Sequence, residues 1–346
     1  MKLAATELAD AAIAGNRRAL ARLLTLIENR AEQAGAIMTR LYPHTGRAHI
    51  IGVTGAPGTG KSTLVAALAK AWRAEGKTVG ILAVDPTSPF TGGAILGDRI
   101  RMRDLSGDAG VFIRSSATRG ALGGLAAVTL DQARVLDAVG FDLVLIETVG
   151  AGQNEVAIAR MAQTTVVVEA PGLGDEVQAI KAGILEIADV LVVNKADRPG
   201  ATQTVRALRT MIETGHPALK TRWMHHGQMV GVDDRGVSNN HDPAVWIPPI
   251  VETVAADGKG VDLLISKIEE HQRYLEGAGL RDQIERARLE AELMDRLQAS
   301  LLRRLLGGLP ENALAEAVAS VQKRINTPDQ AIEALILQAE ALPVES

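Results

Sequence analysis

The chain has 346 residues, more than one ordinary hydrophobic core accommodates, which predicts a large domain with extensions or two domains. Its hydrophobic content of 47% and charged content of 23% are typical of a globular protein that buries a sizeable core. A net charge of -4 argues against nucleic acid as the main partner, and the absence of cysteine excludes disulfides, thiolate metal sites and cysteine nucleophiles.

The N-terminal sequence does not match a targeting segment. It lacks the basic and then apolar pattern of a secretory signal, and Glu7 and Asp10 are wrong for an acid-poor transit peptide. No apolar run approaches the roughly 20 residues that span a bilayer. We therefore expect a cytoplasmic protein with no membrane partner.

Residues 1–45 form a predicted helical extension. Gly15 and Asn16 interrupt its apolar pattern, which predicts two helices packed on the core, with Asn16 as the N-cap of the second. Pro43 and Gly46 mark the boundary before the first strand. The apolar residues at helix-like spacing are Leu8, Ile13, Leu20, Leu23, Leu24 and Ile27.

Residues 46–275 alternate short apolar runs with helical patterns. This alternation is typical of an α/β fold with a mostly parallel, doubly wound sheet covered on both faces. Because ligands bind such sheets at the carboxyl ends of the strands, we expect the chemical residues directly after the runs. The runs are Ile50–Val53, Val79–Val84, Val111–Ile113, Leu143–Ile146, Thr165–Val168, Val190–Val193 and, more weakly, Trp246–Val251.

The first run leads into a stretch with the phosphate-loop pattern G-x-x-x-x-G-K-[ST], placed between a predicted strand and a predicted helix. The backbone N–H groups of such a loop and the positive end of the helix bind polyphosphate. Lys61 is placed to reach the β- and γ-phosphates, and the Ser62 hydroxyl to ligate Mg²⁺. The alternative is a glycine-rich turn without a ligand, in which Lys-Ser has no structural purpose. The predicted nucleotide-binding residues are Gly55, Pro57, Gly58, Thr59, Gly60, Lys61, Ser62 and Thr63.

Acidic residues follow the second run. Asp85 comes directly after it, and the glycine-rich stretch Thr91–Met102 contains Asp98 and Arg101. A loop of this composition can fold over a nucleotide and place a carboxylate near the metal. The alternative is a solvated surface loop.

Glu147–Gly150 follows the fourth run and resembles the Asp-x-x-Gly pattern of GTPases. Glu147 is predicted to hold the Mg²⁺ shell, and the Gly150 N–H to meet the γ-phosphate. Glutamate in place of aspartate changes reach but not charge. Gln153 is a candidate for orienting the attacking water, and the alternative is an exposed loop glutamine.

Asn194–Asp197 follows the sixth run and has the N-K-x-D pattern of guanine recognition. The Asp197 carboxylate can accept from guanine N1–H and the 2-amino group, with Asn194 at the N7 edge and the Lys195 stem along the ring. Adenine lacks this donor pair, so GTP should be preferred over ATP. The alternative is a helix N-cap with a coincidental Asn-Lys. After the seventh run, residues 254–260, with Ala255 and Ala256, resemble the S-A-x loop whose backbone N–H contacts guanine O6, more loosely because Val254 replaces the serine.

Two further regions lie outside these motifs. Residues 215–245 hold His216, His225, His226 and His241, whose spacing matches no firm ligand pattern, so solvated loop histidines are favoured over a metal site. Residues 276–346 change to helix formers with leucines at helical spacing. Such an amphipathic arm suggests packing on a twin subunit, and the alternative is that it folds back on its own core.

Together these motifs resemble the MeaB/ArgK-type GTPases associated with methylmalonyl-CoA mutase. The resemblance extends through residues 122–126 and 171–183 and covers nearly the whole chain. It implies a GTPase that couples GTP binding and hydrolysis to cofactor loading and protection of an adenosylcobalamin-dependent acyl-CoA mutase. It also implies a homodimer, and an adenosyltransferase as a further partner.

The same resemblance assigns roles to individual residues. It implies that Asp85, Asp98 and Glu147 form the surroundings of Mg²⁺ and that Arg101 belongs to a first mobile loop. The stretch Gly172–Lys181 corresponds to a further switch loop facing the mutase, in which Asp175 and Lys181 are the residues of interest. From the residues alone this stretch is only a strand-to-helix connection, with acids near the positive helix end.

Hydrolysis on this site is expected to proceed by positioning and electrostatics. The motifs supply neither a strong base nor an arginine finger, so we expect slow turnover that a partner raises. Two other function classes remain open. A GTPase that delivers a metal such as nickel is disfavoured by the lack of cysteine, and a small-molecule kinase by the intact guanine motif.

Overall fold

The computed structural model describes residues 5–85, 102–105, 107–117, 124–148, 154–172, 187–219, 223–225, 228–230, 246–277 and 279–340. The chain begins with three helices: α1 (Ala5–Ile13), α2 (Arg17–Glu28) and α3 (Ala34–Leu41). The Asn16 side chain accepts from the backbone N–H groups of Arg18 and Ala19, which confirms it as the N-cap of α2.

The prediction of two helices was wrong because it missed α3. This helix buries Ile37 and Leu41, which are four residues apart, but Gly35 lies in its first turn and weakens the pattern. The apolar faces of these helices pack in one cluster with Leu82 and Ile146 of the sheet. The prediction that the extension packs on the core is therefore confirmed.

Asp137 fixes the junction between the extension and the first strand. Its carboxylate is buried and accepts from three successive backbone N–H groups, those of Gly46, Arg47 and Ala48, at 2.5, 3.1 and 2.8 Å. Hydrogen bonds to a charged acceptor are stronger than neutral ones. One side chain thus sets the path of the chain into the sheet.

Replacing Asp137 with alanine should lower the free energy of unfolding by about 3 kcal/mol, because the three N–H groups lose their acceptor in a buried place. Urea denaturation of both proteins measures the change. Glu32, which is exposed, supplies a control in which alanine should change stability by less than about 0.5 kcal/mol. Equal midpoints for the two variants would contradict the anchoring role.

Seven strands of the described residues form one sheet in the order β3-β2-β4-β1-β5-β6-β9, and every neighbouring pair is parallel. This confirms the predicted α/β class and six of the seven runs, whereas the weak seventh run lies in a strand only at Ile250 and Val251. The sheet strands are β1 (His49–Thr54), β2 (Val79–Asp85), β3 (Val111–Ala117), β4 (Leu143–Thr148), β5 (Thr164–Glu169), β6 (Val190–Asn194) and β9 (Ile250–Thr253). A separate antiparallel ribbon pairs β7 (Trp223–His225) with β8 (Gln228–Val230).

Helices cover both faces of the sheet, as the buried apolar runs require. On one face, α4 (Lys61–Ala74) and α8 (Val261–Gly277) share a core with alternate residues of the strands. On the other face, α1 to α3 pack with α5 (Gly124–Ala138) and α6 (Asn154–Met161). Farther along that face, α7 (Ala201–Leu219) packs with Val193 and Ile250.

The chain divides into two compact units, Met1–Arg288 and Leu289–Ser346. The C-terminal helices are α9 (Leu280–Gly307), α10 (Ala313–Gln322) and α11 (Pro328–Glu340). Among the described residues, no helix combines the length and the apolar character needed to cross a membrane. The second unit leaves many large apolar side chains exposed, namely Leu293, Met294, Leu297, Leu301, Leu302, Leu314, Val318, Ile325, Ile332, Ile336 and Leu337.

Candidate functional site

The carboxyl ends of neighbouring parallel strands bring several predicted site residues to one edge of the sheet. Strand β1 lies between β4 and β5, so the connections that leave the two sides of β1 lead to opposite halves of the sheet. The crevice beyond the carboxyl ends of the strands at this switch point is where α/β sheets bind their ligands. Strand β1 ends before Gly55, β4 carries Glu147, β6 ends at Asn194 and β9 ends at Thr253.

The phosphate loop turns between β1 and α4 through glycines at positive φ, 136° at Gly55 and 94° at Gly60. A Cβ on Gly55 would lie 2.1 Å from the carbonyl oxygen of Val168, and a Cβ on Gly60 would lie 2.5 Å from Nδ2 of Asn194. No side chain fits at either position. The loop is therefore pressed against the ends of β5 and β6.

Lys61 is the first residue of α4 and turns back over the phosphate loop. Its Nζ donates to the carbonyl oxygens of Gly55 at 2.7 Å and Ala56 at 3.0 Å, and the residue is 6% exposed. The ammonium is thus held at the loop, where phosphate oxygens could replace the two carbonyl acceptors.

Ser62 and Glu147 meet beneath the loop. The Ser62 hydroxyl donates to Glu147 Oε1 at 2.5 Å, and both residues are buried. Glu147 is in register with Val53 of β1, so the pairing of β4 with β1 places the carboxylate beside the start of α4. A hydroxyl and a carboxylate oxygen are hard ligands of the kind that Mg²⁺ takes, and the pair fits that ion.

Asn194 joins three segments of the site. Its Nδ2 donates to the carbonyl oxygen of Thr59 at 2.9 Å, and its Oδ1 accepts from Thr253 Oγ1 and from the Ala255 N–H, each at 3.1 Å. The side chain is 2% exposed, so water does not compete for these bonds. Asn194 therefore ties the phosphate loop to the loop after β9, a structural role that the N-K-x-D pattern alone did not reveal.

Lys195 makes a second tie to the phosphate loop. Its Nζ donates to the carbonyl oxygen of Gly58 at 2.6 Å, and its backbone has a φ of 57°, which is uncommon for a residue with a side chain. Such a conformation persists where the surroundings over-determine it, and these cluster at functional sites. The lysine stem thereby extends between the guanine motif and the loop.

Asp197 is exposed, and among the described residues its side chain has no hydrogen-bond partner. A carboxylate that is not engaged within the protein is available to a ligand. Pro57, Gly58, Thr63 and Ala256 are likewise exposed at this edge, whereas Thr59 and Ala255 are buried.

The remaining predicted site residues lie outside the described part of the chain. They are Asp98, Arg101, Gly150, Gln153 and Lys181, together with the switch residue Asp175 and the side chain of Asp85, whose backbone ends β2. Their roles stay predictions.

Two polar residues at the same edge were missed by sequence reasoning. Thr253 bonds Asn194, and Glu169 ends β5 with 1% exposure, in register with Val193. Each is a polar residue at the end of a buried run, which is the signal that did identify Glu147.

Known proteins are similar to this chain in sequence and in fold. The model of a family described as methylmalonyl-CoA mutase-associated GTPase MeaB matches residues 20–308. A putative GTPase of Pyrococcus horikoshii is 49% identical over 297 residues, which cover 86% of this chain and 87% of that protein. The GTPase ArgK of Escherichia coli is 35% identical over 274 residues, covering 78% of this chain and 76% of that protein. The crystal structure of a LAO/AO transport system kinase has the same fold, with a TM-score of 0.68, 23% identity, and coverage of 97% of this chain and 98% of that one.

Proposed function

This chain belongs to the MeaB family of methylmalonyl-CoA mutase-associated GTPases, and we propose that it uses GTP to gate adenosylcobalamin loading and protection of an acyl-CoA mutase. The GTPase activity follows from the family. The observation that carries the mutase as partner is the family match over residues 20–308. The polar ties between the phosphate loop and the guanine motif support a site that responds as one unit.

The phosphate end of the site is assigned to three side chains. Lys61 would exchange its bonds to Gly55 and Ala56 for β- and γ-phosphate oxygens. Ser62 and Glu147 would hold Mg²⁺, which supplies positive charge that offsets the charge on the phosphates when it is bound. Because these groups only position and stabilise, intrinsic hydrolysis should be slow, and the partner would raise it.

The base end of the site is assigned to Asp197, with Asn194 and Lys195 as its frame. The exposed carboxylate of Asp197 would accept from guanine N1–H and the 2-amino group. Asn194 would hold the phosphate loop and the Ala255 backbone in place around the base. The groups that bind the base and those that bind the phosphates would thus be connected through Asn194.

Replacing Thr253 with valine should weaken GDP binding roughly five-fold, because Asn194 Oδ1 loses one of its two donors and the frame loosens. Titration calorimetry with GDP measures the change. Thr204 supplies the matched control: its hydroxyl donates to the carbonyl oxygen of Gly200, just before α7, and its valine variant should bind GDP as the parent does. Equal affinity of both variants would remove Thr253 from the site.

A homodimer is proposed from the second unit. Its helices expose many large apolar side chains, and an amphipathic arm of this kind is stabilised when a second copy covers it. Sedimentation equilibrium decides between one copy and two.

On the family resemblance we also infer a cytoplasmic location, and an adenosyltransferase as the source of the adenosylcobalamin.

Metal delivery is not favoured by any observation. Within the part of the chain that the structure describes, no group of three or more His, Cys, Asp or Glu could hold a metal ion. The side chains of His216, His225, His226 and His241 lie outside that part. Nickel delivery therefore rests on the sequence alternative alone.

Cofactor loading tests the proposed function. A cobalamin-free acyl-CoA mutase is mixed with adenosylcobalamin and this protein, with GTP, GDP or a non-hydrolysable GTP analogue, and mutase-bound cobalamin is followed by absorbance. We expect the amount or rate of loading to depend on the nucleotide, and Lys61→Ala to abolish that dependence. If cobalamin loading is the same with and without this protein and with every nucleotide, and the protein binds nickel stoichiometrically, the proposal is contradicted in favour of metal delivery.

A further inference from the structure

Four polar side chains form a buried chain of hydrogen bonds at the amino edge of the sheet, opposite the phosphate loop. His49 Nε2 lies 2.9 Å from Thr164 Oγ1, which lies 2.9 Å from His271 Nδ1. His271 Nε2 then lies 3.3 Å from Asp189 Oδ1. All four residues are at least nine-tenths buried, so the groups must satisfy one another without bulk water.

Asp189 is also a structural anchor at this edge. Its Oδ2 accepts from the Thr165 N–H at 2.7 Å, and its carbonyl oxygen accepts from Trp246 Nε1 at 2.8 Å. The Trp246 ring packs against His271 with ring centroids 5.0 Å apart. Asp189 thus ties the start of β6 to the start of β5 and to the segment that leads into β9.

The directions of these hydrogen bonds follow from counting protons. An ionised Asp189 only accepts, so His271 donates from Nε2 and accepts at Nδ1. Thr164 has one O–H and must give it to His271, so it accepts from His49 Nε2–H. When Asp189 is ionised and His271 is neutral, His49 must therefore carry its proton on Nε2.

One proton added to the Asp189–His271 pair reverses the donor and acceptor roles along this series of hydrogen bonds. Whether it resides on Asp189 or on His271, His271 now donates from Nδ1, and Thr164 turns its O–H towards His49. His49 must then accept at Nε2 and carry its proton on Nδ1. The proton belongs to the pair rather than to either residue.

Burial, more than the surrounding charges, shifts the pKa values of Asp189 and His49. Burial raises the pKa of Asp189 to about 7, against the Thr165 N–H and the charge of Arg288. Burial, with the charges of Arg281 and Arg288, lowers the pKa of His49 to about 4, so His49 stays neutral above that pH. Among the residues that the structure describes, the other titratable groups near the cluster are Tyr274 on α8 and Arg288 with Glu285 on α9. Burial raises the pKa of Tyr274 and lowers the pKa of Arg288 to about 10.

We propose that the Asp189–His271 pair is a proton-linked switch through which pH sets the rate of guanine-nucleotide release. The anchored strands β6 and β9 end, at the opposite edge, in Asn194 and Thr253, which bond each other at the base end of the site. A change of hydrogen bonds at one end of these two strands reaches the nucleotide through a contiguous pair of elements. The inference rests on the guanine-binding role proposed above.

Release of a fluorescent GDP analogue tests the switch. The dissociation rate constant of the parent should change about three-fold between pH 5.5 and 8.5, and Asp189→Asn should remove that change. A protein that binds no GDP fails the proposed function, whereas one whose release is equally pH-dependent in the parent and in Asp189→Asn fails only this inference. A flat profile for the parent also overturns it.

The tautomer of His49 tests the same switch without nucleotide. Ring ¹⁵N shifts, assigned with His49→Gln and His271→Gln, should show His49 changing from Nε2–H to Nδ1–H as pH falls through the titration of the pair. Thr164→Val should abolish that change, and Thr164→Ser should restore it, because serine keeps the hydroxyl. One tautomer of His49 throughout in the parent would overturn the proposal.

Stability against pH gives opposite signs for two variants. Asp189→Asn removes the raised pKa of Asp189 and leaves the depressed pKa of His49, so the stability of this variant should rise from about pH 4 to pH 6.5, and its unfolding constant should fall at least about 30-fold. His49→Gln removes the depressed pKa of His49 and leaves the raised pKa of Asp189, so the stability of this variant should fall as pH rises from about 4 to about 7. Parallel profiles for the two variants would contradict the assignment.

Discussion

Replacing Lys61 with alanine should lower the rate constant of GTP hydrolysis by about 100- to 1,000-fold, the range found when one preorganised donor to a reaction's developing charge is removed. Lys61 is the buried cation of the phosphate loop, with its Nζ already held at the carbonyl oxygens of Gly55 and Ala56. Phosphate release under saturating GTP measures the loss.

Lys70 provides the matched control for Lys61. It lies on the same helix but is exposed and pairs with Asp104 at the surface. Its alanine variant should hydrolyse GTP as the parent does, because exposed ion pairs contribute little. A Lys61→Ala variant as active as Lys70→Ala would remove Lys61 from the phosphate site.

Replacing Asp197 with asparagine should weaken GTP binding by about 100-fold, because the carboxylate that accepts two guanine donors becomes an amide that presents a donor to them. The same amide complements xanthine, which has a carbonyl oxygen where guanine has its 2-amino group. We therefore expect the variant to bind XTP better than the parent does, and competition binding with both nucleotides measures the exchange.

Asp262 supplies the control for Asp197. It is exposed in the first turn of α8, on a different strand-to-helix connection, and its asparagine variant should keep the parental preference for GTP. If Asp197→Asn also keeps that preference, the base is recognised elsewhere.

The sheet and the edge that carries the site could be predicted from the sequence because both depend on residues that are neighbours in the sequence. Apolar runs such as Leu143–Ile146 needed only to be buried, and the polar residue after each run falls at the carboxyl edge by the geometry of parallel strands. The helix α3 was missed because its pattern is short and contains Gly35.

Contacts between distant segments could not be predicted in this way. Asn194 contacts Thr59 and Ala255, residues that come together only when β1, β6 and β9 are ordered in the sheet. The buried cluster is more remote still, since His49 and His271 are joined only through Thr164. A single histidine in the sequence gives no sign of such a partner.

If the GTPase site of this protein serves a cobalamin-dependent mutase, the rate of GTP hydrolysis should differ with and without that mutase. We predict that one adenosylcobalamin-dependent acyl-CoA mutase accelerates hydrolysis, with no acceleration for ATP or for Lys61→Ala. A rate of hydrolysis that no such mutase changes, in a protein that binds GTP normally, would contradict a role in serving these mutases.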